Sequence, residues 1–143
     1  MSARETVYQA LLDLLTTTGD FKLVSRRNRA PESITPDLSP ALFLFERGET
    51  YHVVSPSLPP KRCLEVFAIF YNDVGSDLNG VPTALINAAL DNLDAALKPD
   101  PATGRTTLGG LVYSCRANGA VEKAPGDREG KALAVVPLEI ILP

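Results

Sequence analysis

The sequence predicts an α+β fold: a mostly antiparallel or mixed sheet of about five strands, with two main helices packed on one face. Three patterns predict it. Apolar residues recur with helical spacing near residues 3–17 and 82–97, and they alternate with strand spacing in several other stretches. The two strongest strand runs, 63–71 and 132–142, are apolar on both sides. At 143 residues the chain fits one domain spanning 1–143, large enough to bury about two-thirds of its unfolded surface.

Helix one is expected from Ala3 to Thr17. Ser2 and Glu5 have capping-box spacing, Val7, Ala10, Leu11, Leu14 and Leu15 form an apolar stripe, and Gly19 closes the run. Phe21 to Arg26 reads as a short strand, and Arg26 to Pro40, with three prolines and Arg26, Arg27 and Arg29, as a long mobile loop. Ala41 to Arg47 reads as a strand and Gly48-Glu49 as a turn. Tyr51 to Val54 continues that strand or pairs with it, and the three prolines between Ser55 and Lys61 break the chain.

Cys63 to Tyr71 is the strongest strand. Leu64, Val66, Ala68 and Phe70 point one way, Phe67, Ile69 and Tyr71 the other. Asn72 to Gly80 is a polar loop leading to helix two, from about Pro82 to Leu97. Its stripe is Ile86, Leu90, Leu93 and Leu97, widened by Leu85, Ala89 and Ala96, with Pro82 suited to a first turn and Pro99 ending it. After the turn 100–104, Leu111 to Cys115 reads as strand and Asn118-Gly119 as a type I′ hairpin pair leading into a short return at Ala120 to Lys123. Ala132 to Leu142 is the last strand. Pro137 lacks a ladder donor, which predicts an edge position or a bulge there.

Two helices cover one side of such a sheet, so the apolar second side should meet another copy or another protein. Composition narrows the function classes. With 45% hydrophobic and 22% charged residues the chain has a globular composition, and a net charge of -3 with pI near 5.1 gives no general attraction to nucleic acid or anionic membrane. No apolar run approaches the roughly 20 residues of a membrane span, and the first residues lack a signal-peptide core, so a cytosolic chain is expected. Cys63 and Cys115 sit in apolar strand runs without CxxC spacing and are expected to be reduced, buried and slow to react.

His52 is the single histidine and lies in a strand pattern, so a histidine-based catalytic site would depend on it alone. Gly104 to Gly110 has the glycines of a phosphate loop, but Gly110 stands where that loop needs Lys. Asp73, Asp77 and Asn79 fail the EF-hand pattern at both ends, with Gly75 and Ile86 where ligands belong. Asp91 and Asp94 share the wet face of helix two. The reading is therefore of no enzyme, no catalytic residue, no cofactor and no metal. Arg26, Arg27 and Arg29, with Asp127, Arg128 and Glu129 in a second polar loop, are the candidate partner-binding residues, since guanidinium groups bind carboxylates and phosphates bidentately.

With these elements placed, the chain resembles the tail terminator (minor tail) proteins of long-tailed bacteriophages. The likeness is carried by the N-terminal helix, by 38–45 (LSPALFLF) entering a strand, by 88–97 (AALDNLDAAL) with 99–104 (PDPATG), by 107–112 (TLGGLV), and by 135–140 (VVPLEI) as the closing strand. The resemblance implies a subunit of a six-fold ring at the head-proximal end of a tail tube, stopping tube polymerisation and joining the head connector. Its implied partners are itself, the tail tube protein, the head-tail connector protein and DNA passing through the ring lumen, with no membrane. Its implied location is the virion tail, and the host cytoplasm during assembly. A head-tail connector or completion (neck) subunit is the alternative within the same class.

Overall fold

The computed structural model describes residues 2–27, 29–75, 77–126 and 130–143. Its elements in chain order are α1 (Ala3–Thr16), β1 (Leu23–Ser25), β2 (Ala41–His52), β3 (Lys61–Asp73), α2 (Thr83–Ala96), β4 (Ser114–Ala117), β5 (Glu122–Ala124) and β6 (Lys131–Ile141). The strands form one six-stranded mixed sheet in the order β1-β2-β3-β6-β4, with β5 also pairing to β6. β1 pairs parallel to β2, and every other pairing is antiparallel. The fold is α+β, as the periodicities predict.

Both helices span their apolar stripes. Ser2 Oγ accepts from the Glu5 N–H at 3.1 Å, giving α1 its cap. The reciprocal half of a capping box is missing because the Glu5 carboxylate turns to Arg26 instead. Val7, Leu11 and Leu15 of α1 and Ile86, Ala89 and Leu93 of α2 are buried in one cluster with Leu42, Leu44, Leu64, Val66, Ala68, Phe70, Ala134, Val136, Leu138 and Ile140. Those strand residues are the even-numbered ones, so both helices cover the same side of the sheet. Asn92 Nδ2 donates to the Thr18 carbonyl at 2.8 Å and ties α2 to the end of α1.

Gly48-Glu49 is not a turn. β2 runs unbroken from Ala41 to His52 and carries a bulge between Glu46 and Gly48, so Arg47 is an extra residue opposite β3. The extra residue reverses the alternation. Glu49 and Tyr51 thereby point to the helix side, where Arg4 of α1 hydrogen-bonds both. Beyond the bulge, β2 and β3 run on together as an arm closed by the 53–60 loop, with β6 still paired to β3 as far as Cys63.

Asn118-Gly119 does not make a hairpin, because β4 and β5 pair with β6 and not with each other. They are two pieces of one broken strand along the same edge: four residues, 118–121, lie opposite only 136 and 137 of β6. Pro137 sits opposite that break. β6 is therefore neither an edge strand nor bulged against β3, where Phe67 pairs with Pro137 in continuous register. The Pro137 carbonyl accepts from the Asn118 N–H at 3.1 Å, so its missing donor would have faced the same broken edge. Proline is tolerated inside this sheet because its neighbour strand has already left the ladder.

The expected strand Leu111 to Cys115 begins only at Ser114. Gly109 and Gly110 adopt positive φ, and the Gly110 and Val112 N–H groups both donate to Thr107 O, so a turn takes the first three residues.

Candidate interaction surfaces

The second side of the sheet is half finished. Ala41, Phe43, Ile69 and Tyr71 form a small cluster there, sealed by Ile34, which is 2% exposed. Ile34 comes from the segment read as a mobile loop. Two 3-10 turns, Pro31–Ser33 and Pro36–Leu38, shape that segment, and Ser39 Oγ accepts from the Asp73 N–H at 3.2 Å to hold it against β3. Toward the other end the cover stops. Phe45 is 42% exposed and stacks on Phe67, with centroids 6.4 Å apart, and Ile141 is half-buried, whereas Leu133 and Val135, opposite Tyr71 and Ile69, pack half-buried against the Ile34 cluster. The bulge residue Arg47 lays its guanidinium 5.4 Å from the Phe67 ring, which only partly replaces a packed layer.

Among the described residues, besides Leu111 and Tyr113 before β4, two apolar groups stand at the two ends of β3. Val53, Val54 and Leu58, all more than half exposed, crown the arm among Pro56, Pro59 and Pro60. At the opposite end of β3, Leu78 is 99% exposed, and Val81 and Leu85 are more than half exposed. Beside Leu85 lies a groove of about 590 Å³, lined also by Phe21, Pro36, Val74, Ala88 and Asp20. Sequence reasoning passed over both groups. The available signals were three large apolar residues within a proline-broken loop and a leucine inside the polar run 72–80.

The predicted partner-binding residues are not alike. Arg26 is bound inside the subunit: its guanidinium donates to both Glu5 carboxylate oxygens at 2.7 and 3.0 Å and to Glu46 at 3.1 Å, and lies 5.2 Å from the Tyr8 ring centroid. It thus joins α1 to β2. The hydrogen bond to Glu5 is the main reason its pKa rises above the ordinary arginine value, and the same bond lowers that of Glu5. Arg27 and Arg29 follow on exposed chain. Asp127, Arg128 and Glu129 lie outside the described residues.

The other candidates are dispersed. His52 ends β2 on the exposed arm opposite Lys61, two residues along β3 from Cys63, which is half-buried opposite Thr50 and Ile141, while Cys115 is buried in the cluster under the helices, paired with Ile140 of β6. Burial pushes the Cys115 thiol up to about 12, and burial with Glu139 and Glu65 raises that of Cys63. The Gly104 to Gly110 stretch is closed on itself, with Arg105 stacked 4.2 Å from the Tyr113 ring centroid and donating to its carbonyl. Asp91 and Asp94 are exposed on α2. Among the described residues no group of three or more His, Cys, Asp or Glu has metal-site geometry, and no helix is long and apolar enough to cross a membrane. What the arrangement offers is surface for other macromolecules.

No protein-family model and no curated protein matches this sequence. Among solved structures, the fold is similar to a chain of the "Virion of native gene transfer agent (GTA) particle", at 12% sequence identity and TM-score 0.51. The alignment covers 94% of this chain and 90% of that one, so the likeness spans nearly the whole architecture and is one of fold.

Proposed function

We propose that this chain is a structural subunit of a phage-like virion, acting as a tail terminator: it forms a six-fold ring on the head-proximal end of a tail tube, ends tube growth and presents a different surface to the head connector. The supporting observation is the fold likeness to a chain of a gene transfer agent virion, which extends over 94% of the sequence. The half-covered sheet and the two exposed apolar groups agree with it, since a subunit built for assembly leaves such surface for its neighbours.

On this reading the protein works by binding alone. A ring that matches the tube on one face and not on the other stops growth, because the next tube subunit finds no complementary surface. Arg27 and Arg29, with Asp127, Arg128 and Glu129, are the proposed contacts to partners or to DNA in the lumen. Arg26 holds the base from which that segment projects. Electron microscopy of particles assembled without this chain tests the assignment. Overlong tails are expected; tails of normal length that fail to join heads would reassign the chain as a connector or completion subunit. Replacing His52 by Ala should leave assembly intact, and loss of assembly with an unchanged fold would reopen a histidine-based activity.

A further inference from the structure

Strand β3 holds the two exposed apolar groups at opposite ends of the subunit. Before its first residue, Lys61, comes the loop that carries Val53, Val54 and Leu58; beyond its last, Asp73, come Leu78, Val81 and Leu85. Its 13 residues span roughly 40 Å at strand rise. A single copy therefore cannot bring the two groups together. The loop carries its exposed apolar side chains between Pro56, Pro59 and Pro60, which stiffen it, while the far end holds a groove of about 590 Å³ between Leu85 and Val74.

Charge distinguishes the ends as well. Lys61 and Arg62, beside His52 at the base of the loop, form no ion pair among the described residues. At the far end Asp20, Asp77 and Asp91 likewise form none, and the cation on that rim is Lys22. Asp91 stands one helical turn from Ala88, which lines the groove.

We propose that the 53–60 loop of one copy docks into the groove beside Leu78, Val81 and Leu85 of the next, with Lys61 and Arg62 meeting the carboxylates at its rim. The occupant is a second copy of this chain because one sequence carries both halves, an exposed apolar loop based on Lys61 and Arg62 and an apolar groove near Asp20, Asp77 and Asp91. Two different surfaces meet in this contact, so every open chain of subunits keeps one loop and one groove to spare, and the array closes when its rotation allows. The prolines limit the conformational entropy lost on docking. The proposal rests on the ring-forming reading above and identifies the contact within it.

Two variants test it. Val54→Asp with Leu58→Asp disables the loop, and Leu78→Asp with Leu85→Asp disables the groove; all four sites are exposed, and circular dichroism should show unchanged melting. Should either melt early, Val54→Ser and Leu85→Ser replace them. Each variant alone should need a protein concentration at least roughly tenfold higher than the unaltered chain to assemble, as read by native mass spectrometry. Mixed in equal amounts they should form a heterodimer and nothing larger, because one intact loop and one intact groove remain. A mixture that stays monomeric where the unaltered chain forms rings, or variants that form rings unaided, would overturn this contact and leave the ring reading standing. An unaltered chain that never associates would overturn the ring reading and this contact with it.

Discussion

Truncating Phe70 and Phe67 to Ala, one at a time, weighs the two sides of the sheet against each other. Both are on β3, three residues apart, and so point to opposite faces. Phe70 is 1% exposed in the cluster under the helices, with the Phe21 ring 5.8 Å away. Its loss should cost about 3–5 kcal/mol. For a domain of this size each kcal/mol lowers Tm by about 3–4 °C, so the midpoint should fall by roughly 10–20 °C. Phe67 is half-buried, and its neighbours are a stacked Phe45 that is itself 42% exposed and the Arg47 guanidinium. A stacked pair contributes about 0.5–1.5 kcal/mol and an exposed cation–π contact about 0.5–1, so Phe67→Ala should cost about 1–2.5 kcal/mol plus the loss of its half-buried contact with the second cluster, less than Phe70→Ala. The assay is thermal unfolding followed by circular dichroism, at a dilution where the chain is monomeric. Assembly should respond differently: Phe67→Ala should raise the concentration needed for association even though the monomer folds normally. Equal stability losses from the two variants would refute the claim that one face is finished within the subunit and the other is not.

Three other outcomes follow from the same geometry. Cys63 should react with a thiol reagent before Cys115, which should wait for unfolding; comparable rapid labelling of both in the native state would contradict the burial of Cys115 under the helices. Burial pushes the Tyr8 phenol from 10 to about 12, so its neutral form is favoured in the fold; stability is full below pH 10 and declines as pH rises toward 12, by up to about 1.4 kcal/mol per pH unit for this group. Cys115 opens the same loss from pH 9 and Tyr71, also raised by burial, adds to it above pH 10, so Tyr8→Phe should remove only its own share in urea midpoints measured across this range; an unchanged profile would refute the Tyr8 contribution. Arg26→Gln should lower the melting temperature by loosening α1 from β2, whereas Arg27→Gln with Arg29→Gln should weaken assembly at low salt and leave melting unchanged; assembly unaffected at low salt would remove Arg27 and Arg29 from the partner surface.

Both helices were legible to within a residue or two, since their stripes and the prolines at 82 and 99 are local signals. The runs that became β3 and β6 were equally plain because both faces are apolar. Pairing was not legible, being set by residues far apart in sequence. The broken edge of β4 and β5 along β6 gives Asn118-Gly119 a role other than a hairpin turn, and removes the difficulty of Pro137. Gly48 looks like a turn residue, yet it follows a bulge because β3 continues past it to Lys61. On the surface, the arginine cluster was found by charge, but the pairing of Arg26 with Glu5 and Glu46 depends on the nearness of α1 to β2. Ile34, one apolar residue in a polar stretch, gave little sign of covering the second face.

The central claim, self-assembly into a ring, is tested most directly by the mass of the protein in solution. Sedimentation velocity across a concentration series, alone and in the presence of tail tubes with free ends, reads it. The account predicts a monomer that converts cooperatively to a single closed oligomer of six subunits, at lower concentration when tube ends are present to template it. A chain that remains strictly monomeric at millimolar concentration, and beside assembled tubes, would contradict it.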